Sequence, residues 1–349
     1  LDIEIIPPCV NRSFATFSVS DGRIVYGLGA LKNVGVDAMN LFVEARGDKP
    51  FATLFDIARR VDLKRVGKRP LEMLARAGAF DQLDPNRHRV LDSLDALVAY
   101  SAAIHDQRSS AQVSLFGEAG DDLPEPRLSP VNDWLPNERL SEEHTAIGFY
   151  LSGHPLDDYM GPLKRQNVLT LAEVEEKARM APMVAKLAGS VSGRQERKSA
   201  KGNRFAFVQL SDPTGLYEVT VFSETLEQSR EHLEAGMNVV VTVEATSEAD
   251  QLKLLARSVQ PIDQVATGRG GAGIRVFLDK AEAANSIAGL LARVSKDART
   301  RVMSPVNLCL MDPALPGEVE MTLPHDFAIT PQVKGALKSL PGVVLVEDL

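Results

Sequence analysis

Between positions 194 and 204 the chain carries Arg194, Arg197, Lys198, Lys201 and Arg204 against a single acid, Glu196, and Phe205 and Phe207 follow. Cations at that density can neutralise phosphates, and rings two residues apart share one face of a strand, where they can stack on bases. The pattern suits a single-stranded nucleic acid. Two plainer readings stand beside it. At least one of the phenylalanines belongs to a hydrophobic core, or the basic stretch is a solvated loop. The loop is the weaker option, because five cations oppose one acid within this short span.

A second chemistry is offered by glycine turns between helical stretches, at Asn33-Val34-Gly35 and at Ala77-Gly78-Ala79-Phe80. A turn without a Cβ lets backbone N–H groups approach a phosphate, and the helix that follows adds the positive end of its dipole. Lys32, Lys64, Arg65, Lys68 and Arg69 flank these turns. The duplex-binding candidates are therefore Lys32, Asn33, Val34, Gly35, Lys68, Arg69 and Gly78. Asp37, just past Gly35, weakens the first turn as a phosphate site. A helical bundle with glycines as C-caps accounts for the same pattern equally well.

A third stretch, Gln112-Val113-Ser114-Leu115-Phe116, sits between a polar run and an acidic, Pro-rich run that extends to Pro130. Its Leu-Phe pair belongs to no helical or strand period, so it docks either on the parent domain or on another protein. Catalytic constellations are missing. The six histidines (His88, His105, His144, His154, His232 and His325) show no metal-ligand spacing. Asp157-Asp158 is an adjacent pair rather than two convergent carboxylates, and reads as a loop or helix-cap pair. Gly268 to Gly273 matches G-x-G-x-x-G, but a strand rather than a helix follows it, so it reads as a linker.

The elements that must hold these residues follow from periodicity. Extended runs (Ile3 to Ile6, Phe14 to Val19, Ile24 to Tyr26) surround the turn Asp21-Gly22. Helical periods cover Val36 to Arg46, 51–60, Pro70 to Ala77 and Asn86 to Ala102. Helical residues return at 138–160 and break at Gly153-His154-Pro155. Five alternating runs then appear: Val184 to Val191, Phe205 to Leu210, Tyr217 to Phe222, Asn238 to Glu244 and Leu252 to Val259. A helix from Ser223 to Ala235 precedes the fourth run, which suggests a small closed barrel. The remainder, after a Gly-rich linker at 263–273, alternates strand and helix from Ile274 to Val346. The expected fold class is multidomain α+β: a tandem helix-hairpin-helix domain, a five-stranded OB-fold barrel and a small C-terminal α/β domain.

The chain has 349 residues, enough for two to four domains, with 44% hydrophobic and 25% charged residues, as in ordinary globular proteins. No apolar run reaches the length of a membrane span and no signal peptide opens the chain. Two cysteines, Cys9 and Cys309, fit a reducing cytosol, and the expected location is cytoplasmic. The net charge of −8 is unevenly spread. Residues 23–69 hold ten Lys/Arg against five Asp/Glu, while residues 117–145 hold two against eight. Screening over about 10 Å lets a basic face act independently of a distant acidic loop. The chain opens at Leu1, inside a strand-like run, and is expected to be part of a longer polypeptide.

The pentapeptide Gln112 to Phe116 resembles the sliding-clamp-binding motif of bacterial replication proteins. The whole series resembles the C-terminal part of the alpha-subunit family of bacterial DNA polymerase III, the C-family replicative polymerases. The resemblance rests on Pro7-Pro8 with Asn11, on Ile24 to Gly35, on Leu74 to Asp81, on the pentapeptide and on Gly153-His154-Pro155-Leu156. It implies the end of a fingers region at 1–26, the helical hairpins at 27–105, a linker bearing the clamp motif at 106–136 and a helical connector at 137–180. An OB-fold at 181–265 and a partner-binding domain at 266–349 follow. The implied partners are primer-template duplex, single-stranded template, the sliding clamp (beta subunit), the clamp-loader tau subunit and other polymerase III holoenzyme subunits, with no membrane. No cofactor is expected in this chain; the family's Mg2+ and catalytic aspartates belong to a palm domain outside it. A stand-alone, non-catalytic nucleic-acid-binding module and an error-prone paralogue of the same family remain open.

Overall fold

The computed structural model describes residues 3–109, 123–199, 202–248, 251–266, 273–297, 303–311 and 319–349. They fall into two units, Leu1–Gly153 and His154–Leu349. In the first, β1 (Ile5–Ile6), β2 (Ser18–Ser20) and β3 (Arg23–Val25) form a small sheet ordered β1-β3-β2. Asp21 and Gly22, at φ 51° and 76°, make the turn between β2 and β3. Among the described residues seven α-helices follow: α1 (Val36–Arg46), α2 (Leu54–Arg60), α3 (Leu63–Val66), α4 (Lys68–Arg76), α5 (Arg87–Asp92), α6 (Leu94–Ser109) and α7 (Pro136–Ile147). Three of these helices, α2, α3 and α5, start at side-chain caps that pair amides the helix itself leaves open. Thr53 accepts from Asp56 N–H, Asp62 from Lys64 and Arg65 N–H, and Asn86 from Arg89 N–H.

One core joins these pieces. Val10, Ala15 and Tyr26 pack with Phe42, Leu71, Leu74, Phe80 and Leu94, and with Ala146 and Ile147 of α7. The described part of the expected 1–26 region, residues 3–26, thus shares the core of the helices. The stretch expected to be a linker from 106 to 136 is structured at both ends: α6 continues to Ser109, and residues 123–135 lie along the helices. Leu123 and Leu128 pack on the core, Asn86 Nδ2 donates to Val131 O (2.8 Å), and Arg59 pairs with Glu125 (2.6 Å).

The second unit begins with α8 (Met160–Arg165), β4 (Val168–Leu169) and α9 (Leu171–Met180). Thr170 and Glu173 form a reciprocal capping box at the start of α9. Leu156, Tyr159, Leu163 and Val168 pack on Ala188 and Val240 of the barrel. The expected connector at 137–180 is therefore divided, α7 going to one core and residues from His154 onward to the other. Apolar burial decides this division, and helical period alone carries no information about it.

The barrel strands are β5 (Met183–Lys198), β6 (Arg204–Asp212), β7 (Gly215–Phe222), β8 (Asn238–Glu248) and β9 (Gln251–Pro261), with α10 (Ser223–Ser229) after β7. The order β5-β6-β7-β9-β8 closes because β5 also pairs with β8, from Met183↔Ala245 to Ser190↔Asn238. Alternation supplies the interior: Leu187 and Val191, Ala206, Val208 and Leu210, Val219 and Val221, Val241 and Val243, and Leu254 and Ala256 are buried together. After the barrel, α11 (Ile262–Ala266) occupies the start of the stretch read as a linker. A four-stranded sheet follows, ordered β12-β11-β10-β13, from β10 (Ile274–Leu278), β11 (Val306–Leu310), β12 (Val319–Thr322) and β13 (Val343–Asp348). It carries α12 (Ala283–Asp297) and α13 (Pro331–Lys338). No helix of the described residues is long and apolar enough to cross a membrane.

Candidate nucleic-acid interfaces

The basic stretch after Val191 is a strand rather than a loop. β5 bulges between Val191 and Gly193 and then continues as a ribbon with β6, pairing Arg194↔Val208, Gln195↔Phe207, Glu196↔Ala206, Arg197↔Phe205 and Lys198↔Arg204. Residues opposite one another point to the same side. Gln195, Arg197, Phe205 and Phe207 therefore share the outer face, whereas Arg194, Glu196, Lys198 and Arg204 lie on the side of the buried Ala206 and Val208. Neighbours in sequence thus part company in space: of the described cations of this ribbon, Arg197 alone shares the face of Phe205 and Phe207. Lys201 lies outside the described residues.

Neither phenylalanine is in the core. Both are half-buried on the outside, with ring centroids 5.4 Å apart and nearly perpendicular. Phe222, paired opposite Phe205, extends the group at 6.3 Å and is 53% exposed. Arg197 lies 5.3 Å over the Phe207 ring and donates to Gln195 Oε1 (2.9 Å). This is an aromatic strip with one cation laid along it, a surface that can stack bases and meet phosphate. Phe222 escaped the sequence reading because its exposure depends on the β6–β7 register; the available signal was its place two residues beyond Thr220.

The opposite face is bound up internally. Arg194 donates to Arg230 O (2.8 Å) and pairs with Glu196 (3.2 Å), which also takes Arg230 at 2.5 Å. The hydrogen bond from Arg230 holds the Glu196 carboxyl below the usual carboxylate range. Lys198 and Arg204, near the ribbon tip, are exposed.

The two glycine turns differ. At the first, Lys32, Asn33 and Gly35 are exposed, Asn33 has φ 61°, and Gly35 caps α1 without a side-chain hydrogen bond. A Cβ on Gly35 would meet nothing within 4 Å. Val34 is buried in the core and its N–H donates to Leu31 O (3.2 Å), so as a duplex candidate it brings neither side chain nor amide, and the exposed Lys32, Asn33 and Gly35 are what the turn presents. The second turn is stoppered. Gly78, at φ 76°, is buried, and a Cβ there would fall 2.2 Å from the Arg87 guanidinium. Arg87 bonds both oxygens of Asp81 (3.0 and 2.8 Å) and Arg76 O (3.3 Å), and pairs with Glu143 (3.5 Å). The turn amides are spent within the turn, Gly78 N–H on Ala75 O and Ala79 N–H on Leu74 O. Gly78 is thus corrected from a phosphate contact to a packing glycine. Lys68 and Arg69 are exposed but paired, with Asp95 (2.6 Å) and Glu72 (3.1 Å). Gln112, Val113, Ser114, Leu115 and Phe116 lie outside the described residues.

Elsewhere the polar groups serve as scaffold. His154 Nε2 meets Ser211 Oγ at 3.0 Å, its Nδ1 accepts from Leu156 N–H, and burial lowers its pKa. Asp157 accepts from His154 N–H (2.6 Å) as a cap, and Asp158 packs against Gly335. Among the described residues no group of three or more His, Cys, Asp or Glu could hold a metal ion.

A hairpin-bearing helical unit and a closed OB barrel with an aromatic outer strip define a nucleic-acid-binding class of protein. Comparison with known families agrees: residues 2–90 match the helix-hairpin-helix motif and residues 185–262 the OB-fold nucleic acid binding domain. Over 99% of its length the chain is 39% identical to the DNA polymerase III subunit alpha of Caulobacter vibrioides, covering 30% of that protein. It is 35% identical to the subunit of the same name from Pseudomonas aeruginosa, over 77% of the chain and 24% of the relative, and 32% identical to that of Escherichia coli, over 76% and 23%. The chain belongs to the DNA polymerase III alpha-subunit family and spans about 30% of the length of the longest-matching of these relatives.

Proposed function

We propose that this part of the polymerase holds DNA in two forms: duplex at the Lys32–Gly35 turn with the exposed cations Lys64 and Arg65, and single-stranded template on the outer face of the barrel. The observation that carries the reading is the Phe205–Phe207–Phe222 strip with Arg197 laid over Phe207. Stacking and a backbone cation are combined there on one surface, as sequence-tolerant binding of a single strand requires. Lys198 and Arg204 at the ribbon tip add charge without sharing the strip.

In this reading the pentapeptide Gln112 to Phe116 tethers the enzyme to a sliding clamp, and the domain after residue 266 meets the tau subunit of the clamp loader. Tethering raises the effective concentration of enzyme at the primer end, so modest affinity for DNA suffices. The setting is DNA-directed DNA synthesis in the cytoplasm by the longer polypeptide.

The test is fluorescence anisotropy of a labelled oligothymidylate with the 349-residue chain. Phe207→Ala and Phe222→Ala should each weaken single-strand binding by about 1–3 kcal/mol while the dependence on salt stays constant, because stacking releases no counterions. Unchanged affinity in both variants would remove the strip from the DNA path.

A further inference from the structure

Lys32 differs from Lys68 and Arg69 in how it is held. Among the described residues no carboxylate lies within ion-pair distance of it, whereas Lys68 and Arg69 each have one. It is held instead by the end of α7, a helix outside the matched helix-hairpin-helix segment at 2–90. Lys32 N–H donates to Ala146 O (2.8 Å). Gly148, the left-handed C-cap of α7 at φ 105°, lies directly under the lysine side chain: a Cβ there would sit 2.8 Å from Lys32 Cε and 3.2 Å from Nζ. The ammonium therefore rests at the carbonyl end of a helix, where a positive charge is favoured.

We infer that Gly148 is a positioning residue for duplex binding, its missing side chain leaving the place in which Lys32 is held toward a backbone phosphate. This rests on the reading that the first turn meets duplex DNA. Glycine serves here for its missing volume as well as for its dihedral angle. The atoms a side chain would displace are the far end of a lysine rather than backbone, so a substitution moves the ammonium while leaving the turn in place.

A second readout needs no DNA. The His144 ring packs on Tyr150 at 4.7 Å, and its pKa is lowered by burial first and by the Lys32 charge second. Moving the ammonium away should raise it.

The experiment uses the whole chain with Lys32→Ala, Gly148→Asn and Gly148→Ala, and the Lys32→Ala/Gly148→Asn double variant. Asparagine is included because it accepts left-handed backbone. Duplex affinity is read by anisotropy across salt, and His144 by its ring-proton NMR titration. Lys32→Ala and Gly148→Asn should each weaken duplex binding about two- to fivefold, the scale of one exposed ion pair. Each should flatten the log–log salt slope by about 0.9, one phosphate's share. Each should raise the His144 pKa, and the double variant should lose nothing more. If Lys32→Ala lowers affinity and slope while both Gly148 variants leave slope and His144 titration as in the parent, the positioning role is overturned and the duplex reading stands. If Lys32→Ala itself changes neither affinity nor slope, the duplex reading of this turn fails, and the inference with it. Loss of fold in both Gly148 variants would also count against it, since the glycine would then serve the backbone.

Discussion

The two glycine turns of the first unit begin from the same local chemistry and end in opposite states. Around Gly35 the space left by the absent Cβ is open; around Gly78 it is filled by the guanidinium of Arg87. A glycine turn is therefore no recognition site in itself. What occupies the vacated volume decides whether the turn meets a ligand or anchors the fold. Arg87 ties the second turn to Asp81 and to the buried Glu143 of α7, so this turn serves as a structural joint.

That contrast can be broken by experiment. The largest effect is expected for Arg87→Met. It leaves Glu143, 2% exposed, without its cation, and should cost about 3–5 kcal/mol in urea unfolding. A loss below about 1 kcal/mol would mean that the stopper contributes little. Next, Gly78→Ala forces both a clash with Arg87 and a left-handed alanine, and should cost about 1–3 kcal/mol with little effect on duplex affinity beyond that of stability. Arg197→Ala should weaken single-strand binding by up to about 1 kcal/mol and flatten its salt slope by about 0.7, whereas Arg194→Ala, already committed to Arg230 O and Glu196, should leave the slope alone. Equal slopes for the two variants would erase the distinction between the ribbon faces. The smallest effect is Gly35→Ser. It should raise stability by a few tenths of a kcal/mol by capping α1, and lower duplex affinity by drawing the amides inward. Higher duplex affinity in this variant would sink the idea that the first turn offers its amides.

Much of this architecture was legible in the sequence. Alternation placed β10 at Ile274 to Leu278 and put a helix between the third and fourth barrel strands, because burial on one face leaves a period that needs no tertiary information. The reading failed where pairing rather than patterning decides. The apolar alternation of β5 ends at Val191, yet the strand runs to Lys198 because the β6 ladder continues to hold it. The face of each cation then follows from a bulge near Gly193, which shifts register and which no composition announces. Gly78 was visible as a turn, but its filler, Arg87, comes from the next helix. Phe222 looked like the last apolar residue of a strand, and only its place opposite Phe205 makes it part of a surface.

The double pairing of β5 also bears on how the barrel forms. Its first half pairs with β8 and its second half with β6, so one strand belongs to both ends of the closing sheet. The β5–β6–β7 meander needs only neighbours in sequence. Closure must wait for β8 and for β9, which pairs parallel with β7 through Thr220↔Leu255. Contacts of large sequence separation are slow to form. The expected order therefore has the aromatic strip assembled before the barrel that supports it is shut. In pulse-labelled hydrogen exchange, β6 amides should gain protection before those of β8 during refolding.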